Sequence, residues 1–200
     1  MPTRGEDTRT RILTASAELF ARQGYHGTGL SELLDAVGLG KGGFYHHIAS
    51  KEQLLLEIMF DPIDRVLHSS DRILGTDADA TTKLRNLGTD LGHAMAADLA
   101  AWTVFLREYS ALGHDGKAQV LKRRQEYLDR WRRVLADGAA NGEFRELDLA
   151  FVESILGLFV YTFVWAREST PPETLTDSIM TVLLHGVCAP AHPRSTAKRD

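Results

Sequence analysis

The apolar residues of this chain recur at three- and four-residue spacing along most of its length, and glycine, proline or short polar runs interrupt the pattern. This spacing predicts α-helices, because residues three and four apart share one face of a helix. The strict alternation that would predict β-strands never extends beyond a few residues. The sequence therefore predicts an all-α protein of about nine helices with no sheet.

Glycines and one capping residue divide the first part of the chain. A stripe from Ile12 to Phe20 ends at Gly24, a second and shorter stripe ends at Gly38, and a third segment covers residues 40–48. Ser50 has the character of an N-cap, so a fourth helix is predicted to begin directly after it.

The later breaks predict five more helices, which follow a fourth helix that Pro62 is expected to kink. The polar segment 190–200 is predicted to be a disordered tail. The five predicted helices cover residues 80–97, 99–112, 116–140, 147–168 and 173–188.

Composition excludes several classes of protein. The single cysteine, Cys188, excludes a disulfide scaffold and a Cys-rich zinc site, and the net charge of −4 excludes a histone-like excess of positive charge. The uncharged apolar run at residues 154–166 is shorter than the roughly 20 residues that cross a bilayer. With no signal peptide at the N-terminus, we expect a soluble cytoplasmic protein without a membrane segment.

Catalytic and metal-binding patterns are absent from the sequence. It contains no Ser-His-Asp signature, Cys-His pair, HExxH motif or phosphate-binding loop. His46 and His47 are adjacent rather than spaced to ligate one metal from a helix face, and the other histidines are scattered. The sequence therefore predicts a protein that is not an enzyme and that needs no metal or cofactor.

The tight turn Val37-Gly38-Leu39 joins two short predicted helices, and this is the spacing of a helix-turn-helix. Gly38 suits the left-handed conformation of such a turn, which other residues resist. In DNA-binding helix-turn-helix proteins the second helix enters the major groove. Spacing alone is weak support, because many helical proteins contain similar corners.

The residues around this turn are more specific. The string GLGKGGFYHHIASKEQLL at residues 38–55, preceded by Gly24-Tyr25 and Thr28, resembles the N-terminal domain of TetR-family transcriptional regulators over about residues 8–60. The resemblance implies a homodimer in which three N-terminal helices bind DNA, while a larger helical domain binds a small effector and dimerises through its last two helices. On this interpretation, residues 1–52 form the DNA-binding domain and residues 53–189 the effector-binding and dimerisation domain.

The predicted DNA contacts follow from residue type and position. The tips of Tyr45 and His46 suit phosphate oxygens, and Lys51 lies in the first turn of a helix, where free N–H groups also favour phosphate. Lys41 is the strongest base-reading candidate and Ser31 a weaker one. The full predicted set is Thr28, Ser31, Lys41, Gly42, Tyr45, His46, His47 and Lys51.

Two features of this set carry alternatives. Thr28 is predicted to cap the first helix of the motif and to touch phosphate. Without the resemblance, a surface lysine, a tyrosine at the edge of the core and two solvated histidines would be the simpler interpretation.

Gly40 and Gly43 replace the hydroxyl residues common in the family, and each helix glycine costs about 1 kcal/mol relative to alanine. We therefore expect the second helix of the motif to be flexible until DNA binding orders it.

The larger predicted domain is rich in aromatic residues, which suggests a mostly apolar effector with one polar end. Arg124 either extends its charged end to solvent or pairs with an anionic ligand, and His93 is either a pocket residue or an ordinary histidine at the edge of the core. The candidate ligand-binding residues are His93, Trp102, Tyr109, Arg124, Tyr127, Trp131, Tyr161 and Trp165.

The predicted helix at 147–168 is apolar on nearly every side, and such a helix has to be buried on more than one side. The last predicted helix carries a matching apolar stripe, so residues 147–188 are predicted to form a homodimer interface.

The resemblance therefore implies a repressor that a small molecule releases from DNA, and the two-fold symmetry of a dimer implies a palindromic operator. The alternative is a helical ligand-binding or scaffold protein that no longer reads DNA.

Overall fold

The computed structural model describes residues 4–165 and 170–188, with side chains from residue 7 onward. The helices in these residues are α1 (Arg4–Gln23), α2 (Leu30–Val37), α3 (Lys41–His47), α4 (Lys51–Leu74), α5 (Ala80–Ala97), α6 (Leu99–Arg107), α7 (His114–Ala140), α8 (Phe151–Trp165) and α9 (Pro172–Val187). Over the described residues the all-α prediction is confirmed, and the one extended pairing there is an isolated bridge between Phe144 and Cys188.

The predicted helix boundaries in the first part of the chain agree with local capping. Gly38 ends α2 with φ +65°, and its N–H points to the carbonyl oxygens of Asp35 and Leu34. The hydroxyl of Ser50 accepts a hydrogen bond from the N–H of Gln53, as expected for an N-cap of α4. That helix then runs without a break through Pro62, whose side chain is buried.

Two predicted boundaries were wrong. The helix expected at 99–112 ends at Arg107, and a single 3-10 turn at Tyr109–Ala111 follows it. The helix expected to start at residue 147 starts at Phe151. Residues 145–148 are irregular, with the Arg145 N–H bonded to the Val187 carbonyl 2.9 Å away, and a turn at residues 149–150 leads into the helix. Residues 166–168 of that predicted helix and the predicted tail at 190–200 lie outside the described residues.

The buried apolar side chains form two clusters that α4 joins. The first core holds residues of α1, α2, α3 and the first half of α4, and also Ala101, Val104, Leu112 and Val120. The second core packs the rest of α4 against α5, α7, α8 and α9, around Trp131 and Phe159. Helix α6 belongs to the predicted larger domain but contributes to the first core, so the predicted DNA-binding unit packs directly against the larger domain.

Helices α5 and α9 approach each other closely at two glycines. A Cβ added to Gly88 would overlap the sulfur of Met180, and one added to Gly92 would overlap the hydroxyl of Thr176. Glycine at both positions is therefore what allows the two helices to pack at this distance.

No helix within residues 4–165 or 170–188 is long and apolar enough to span a membrane.

Candidate functional site

The short helix α3 buries a single residue and presents the rest of its side chains outward. Phe44 is completely buried in the first core, whereas Lys41, Gly42, Tyr45 and His46 are exposed. Tyr45 has 42% of its surface exposed, although it is a large aromatic residue. Exposed hydrogen-bonding tips on a helix with so little buried surface are suited to contact a polar partner.

Two further predicted residues flank this surface. Ser31 is exposed in the first turn of α2, and His47 is half-buried at the end of α3. The structure therefore places six of the eight predicted DNA contacts at or near the outer surface of the helix-turn-helix.

The glycines of α3 are not required by internal packing. A Cβ built on Gly40 or Gly42 meets no atom within 4 Å, and the nearest atom to one on Gly43 is Leu39 Cδ2 at 3.8 Å. Space for larger side chains is thus available, and what the glycines provide is a bare backbone at the start of an exposed helix.

Lys51 has a different environment from the one predicted. Its ammonium donates hydrogen bonds to the carbonyl oxygens of Tyr25 at 2.5 Å and Thr28 at 2.6 Å, and it lies 4.3 Å from the centre of the Tyr25 ring. Burial lowers the pKa of Lys51, while Glu108 and Glu32 act in the opposite direction. Two of its three donors therefore tie the α1–α2 loop to the start of α4, and a phosphate contact stays a prediction for the third.

The predicted role of Thr28 as a cap was wrong. Gly29 is the N-cap of α2, and the carboxylate of Glu32 accepts a hydrogen bond from its N–H at 2.7 Å. That bond, followed by one from Gln23, lowers the pKa of Glu32. The hydroxyl of Thr28 is buried and donates to the Gly24 carbonyl at 2.8 Å, so the side chain stabilises the loop between α1 and α2, and a phosphate contact stays a prediction.

A hydrogen bond that the sequence did not predict connects the helix-turn-helix unit to the larger domain. The carboxylate of Glu52, in the first turn of α4, accepts from the N–H of Gly113 at 3.0 Å, directly before α7. The sequence indicated only that Glu52 is an acidic residue in a first helical turn, which gave no signal for a partner 61 positions away.

The predicted ligand-binding residues do not come together around one site. Trp102, Tyr127 and Trp131 are buried in the second core, where the Trp102 indole N–H bonds to the Ala94 carbonyl at 3.2 Å. Tyr161 and Trp165, at 67% and 68% exposed, lie on the outside of α8, away from these three buried residues, and their role in ligand binding stays a prediction.

The other three candidates lie at or near the surface. Arg124 pairs with Glu153 at 3.3 Å, in agreement with the interpretation that its charged end extends to solvent. Tyr109 is half-buried in the 3-10 turn, and His93 is exposed on α5.

The structure contains a groove of about 660 Å³ between α4 and α5, and His93 is the one predicted ligand-binding residue that lines it. Inside it the hydroxyl of Ser69 donates to the carboxylate of Asp90. The polar lining residues are Asp61, Asp64, Arg65, His68, Ser69, Arg72, Asp90 and His93. Among the residues the structure describes, no group of three His, Cys, Asp or Glu side chains is arranged to hold a metal ion.

A second cavity of about 350 Å³ lies between α8 and α9, and its walls are almost entirely apolar. Leu158 and Val182, which line it, are 44% and 68% exposed, and Phe151 beside them is 48% exposed. With Tyr161 and Trp165 they make this the largest group of exposed apolar side chains in the described part of the chain. We call these five residues the α8–α9 face.

Comparison with known proteins supports one family along nearly the whole chain. Residues 12–58 match the model of the bacterial regulatory proteins of the tetR family, and residues 77–187 match that of the tetracyclin repressor-like C-terminal domain. The HTH-type transcriptional repressor KstR2 of Rhodococcus jostii is 27% identical over 187 residues, which cover 91% of this chain and 92% of that protein.

Two solved structures illustrate the similarity in fold. The TetR-family transcriptional regulator PfmR of Thermus thermophilus superimposes with a TM-score of 0.82 at 26% identity, over 88% of this chain and 98% of PfmR. AibR, solved in complex with isovaleryl coenzyme A and operator DNA, superimposes with a TM-score of 0.78 at 24% identity, over 88% of this chain and 97% of AibR. None of these similarities supports the alternative of a scaffold that has lost DNA binding.

Proposed function

Because this chain belongs to the TetR family of bacterial regulatory proteins and is a ligand-responsive DNA-binding repressor, we propose that two copies of it read a palindromic operator in the cytoplasm. A two-fold dimer presents two copies of α3, and half-sites about one helical turn or somewhat more apart follow from that symmetry. The observation that carries this proposal is α3 itself, which has one buried side chain and an outward surface of polar tips and bare backbone.

The exposed residues of α2 and α3 divide into two roles. Lys41, in the first turn of α3, reads a base edge, since an ammonium can donate to guanine O6 and N7. Ser31, Tyr45 and His46 hold phosphate oxygens, and the bare backbone at Gly42 lets the helix approach the groove closely. His47 lies at the rim of this contact. Lys51 and Thr28 position the loop between α1 and α2.

Dimerisation through residues 147–188 accounts for the α8–α9 face. Exposed apolar patches of this kind on a monomer mark interaction surfaces, and a two-fold axis would bury each copy of the face against its equivalent. Tyr161 and Trp165 act in this interface and not as ligand contacts.

The larger domain, residues 53–189, binds a small and mostly apolar effector and transmits its presence through α4. The first half of α4 belongs to the DNA-binding core and the second half to the effector core. The bond from Gly113 to Glu52 couples the start of α7 to the same helix. An effector that binds one arrangement of these helices better than another shifts the population away from the DNA-binding form. This role requires no catalytic chemistry.

The experiment that tests this function is a fluorescence anisotropy titration with the DNA upstream of the protein's own gene, over a range of salt concentrations. Phosphate contacts release counterions, so we expect the affinity to fall steeply with salt, with a log–log slope of about 0.9 per phosphate contacted. Binding that is undetectable at low salt, or that does not depend on salt, would contradict the proposed DNA interface.

A further inference from the structure

Helix α8 exposes a stripe of side chains on the side that faces away from its own core. Its buried residues, which include Val152 and Phe163, pack into the second core on the opposite side. The residues of the exposed stripe recur at alternating spacings of three and four, which is typical of a helix that packs along one other helix. The stripe consists of Phe151, Ser154, Leu158, Tyr161 and Trp165.

The cavity and the largest rings of this stripe lie at opposite ends of α8. The cavity of about 350 Å³ between α8 and α9 is lined by the first half of α8, from Phe151 to Leu158. The exposed rings of Tyr161 and Trp165 lie on the second half and do not line it. Residues 151 and 165 are about 21 Å apart along the helix, at about 1.5 Å per residue. One copy therefore cannot fill its own cavity with Trp165.

A two-fold axis would bring the two ends together. In a symmetric interface, every contact between two residues is matched by the reverse contact. If two copies of α8 run antiparallel and cross at Leu158, positions equally far on either side of Leu158 face each other. The partner's Trp165 then lies against Phe151, and the partner's Tyr161 against Ile155, and both of these contacts fall on the lining of the cavity. A parallel pair would place each ring against its own equivalent and leave both cavities empty.

The side chains near the crossing point agree with this register. Gly157 is exposed, and a Cβ built on it meets no atom within 4 Å, so a second backbone can approach closely there. The Ser154 hydroxyl bonds to no described residue and, in this register, faces the hydroxyl-bearing end of the partner's Tyr161. Phe151 and the partner's Trp165 form an aromatic pair, which is favourable beyond the area that it buries.

The charged residues nearby do not oppose this packing. Glu153, the one charged residue of α8, is held within its own copy by the guanidinium groups of Arg124 at 3.3 Å and Arg132 at 3.6 Å. Arg145 is the one charged residue that lines the cavity, and it makes no ion pair with a described residue. A guanidinium can stack on the face of an indole, so Arg145 is compatible with the partner's Trp165.

We propose that α8 packs antiparallel against its own copy and crosses it at Leu158, with the partner's Trp165 and Tyr161 filling the cavity between α8 and α9. This inference rests on the proposed function, because it specifies the contact by which the proposed dimer forms. It goes beyond that proposal, since the cavity of each copy is incomplete without two side chains of the other. Val182 of α9 lines the same cavity, so both helices of the α8–α9 face take part.

The first test replaces the inferred aromatic contact by an ion pair in the full-length protein. Phe151→Glu or Trp165→Arg alone should weaken dimerisation at least about tenfold, because each removes a ring from the contact and leaves a charge without a partner there. In the double variant each introduced glutamate faces the arginine introduced in the other copy. Dimer affinity should therefore recover at least about tenfold over either single variant. Sedimentation equilibrium over a range of protein concentrations measures these affinities.

The matched control is Phe151→Arg combined with Trp165→Arg, which places like charges at the same two positions and should show no recovery. Because the two native side chains are exposed in one copy, at 48% and 68%, all of these variants should keep the fold of the wild type. Far-ultraviolet circular dichroism checks that they do.

The second test locates the two-fold axis with single cysteines in a Cys188→Ser background, which removes the only native cysteine. In Leu158→Cys the introduced thiol faces its own equivalent, so oxidation with copper–phenanthroline should give a disulfide-linked dimer on a non-reducing gel. Tyr161 lies three residues from the crossing point, so the two thiols of Tyr161→Cys would be separated by about 9 Å along the helices and should not cross-link.

Two results would overturn the inference: no recovery of dimer affinity in the Phe151→Glu, Trp165→Arg double variant, or a Leu158→Cys protein that cross-links no better than Tyr161→Cys. Either result beside a dimeric wild type would reject this register and leave the proposed dimer standing. A wild type that sediments as a monomer at micromolar concentration would reject the proposed dimer itself.

Discussion

The helix-turn-helix surface and the α8–α9 face are both exposed, yet their chemistry is opposite. Helix α3 buries one side chain and exposes donors and bare backbone, whereas α8 buries Val152, Ile155, Phe159 and Phe163 and still exposes large apolar side chains. An exposed surface indicates its partner by the interactions that it leaves unmade. Hydrogen-bonding groups on the first surface fit a phosphate backbone, and hydrocarbon on the second fits another copy of itself.

A charge placed at Val182 is expected to have the largest effect, because this residue is 68% exposed on the α8–α9 face whereas its neighbour Leu183 is buried. In Val182→Glu two like charges would meet across the two-fold axis while the monomer core stays intact. We expect dimer affinity to fall by at least about a hundredfold, and operator affinity to fall with it. Sedimentation velocity at micromolar concentration measures the change.

The matched control for this change is Leu121→Glu, at a leucine of α7 that is 50% exposed and lies outside the α8–α9 face. It should sediment as the wild type does. A Val182→Glu protein that remains as dimeric as this control would remove the α8–α9 face as the interface.

Lys51→Ala tests whether the DNA-binding surface extends beyond α3 to the first residue of α4. Two hydrogen bonds from the ammonium to backbone carbonyls are lost, so the free energy of unfolding should fall by about 2 kcal/mol and the melting temperature by about 4–8 °C. We expect the slope of the salt dependence of operator binding to fall by about one, because the third N–H of Lys51 is predicted to contact a phosphate. An unchanged slope would leave Lys51 with a structural role alone.

Lys41→Ala removes the only lysine that α3 presents to the outside. We expect operator affinity to fall about tenfold and discrimination between operator variants to weaken, while the melting temperature stays unchanged. Anisotropy titrations on the operator and on single-base variants measure both effects. Lys122→Ala, at an exposed lysine on α7, is the control and should bind as the wild type does. Equal loss of affinity on every sequence would reassign Lys41 from a base to a phosphate.

Gly42→Ala has the smallest expected effect and separates folding from recognition. Because the added methyl group meets no atom within 4 Å, the substitution should raise the free energy of unfolding by up to about 1 kcal/mol. Operator affinity should nonetheless fall, since the bare backbone is proposed to face DNA. Gly38→Ala, at φ +65°, is the contrasting control and should lower stability by about 1 kcal/mol. Unchanged affinity in a more stable Gly42→Ala would mean that this position lies away from DNA.

Helix positions were predictable from the sequence where local chemistry alone determines them. The left-handed glycine at Gly38 and the serine cap at Ser50 act over three or four residues, so their residue types are sufficient signals. The start of α8 was not predictable in this way. Apolar residues from 147 onward continue the helical period, but just before them the N–H of Arg145 bonds to the carbonyl of Val187, 42 positions further along the chain.

The candidate site shows the same division between local and distant causes. Residue type identified Lys41, Tyr45 and His46 as exposed polar residues of a short helix, and the structure exposes them. Residue type could not show that Lys51 turns inward, because its partners are carbonyl groups of Tyr25 and Thr28, which every residue possesses. The groove at Ser69 and Asp90 depends on two helices meeting and left no pattern in the sequence.

The close packing of α5 on α9 limits how the protein can change shape. With Met180 and Thr176 seated against Gly88 and Gly92, one turn apart, α5 can neither slide nor rotate along α9 without collision. The two helices therefore move as one rigid unit. Asp90 lies on one of them and the exposed Val182 on the other. A movement of α5 at the α4–α5 groove would therefore displace Val182 on the α8–α9 face as well. At the proposed dimer interface, such a displacement would change the angle between the two copies.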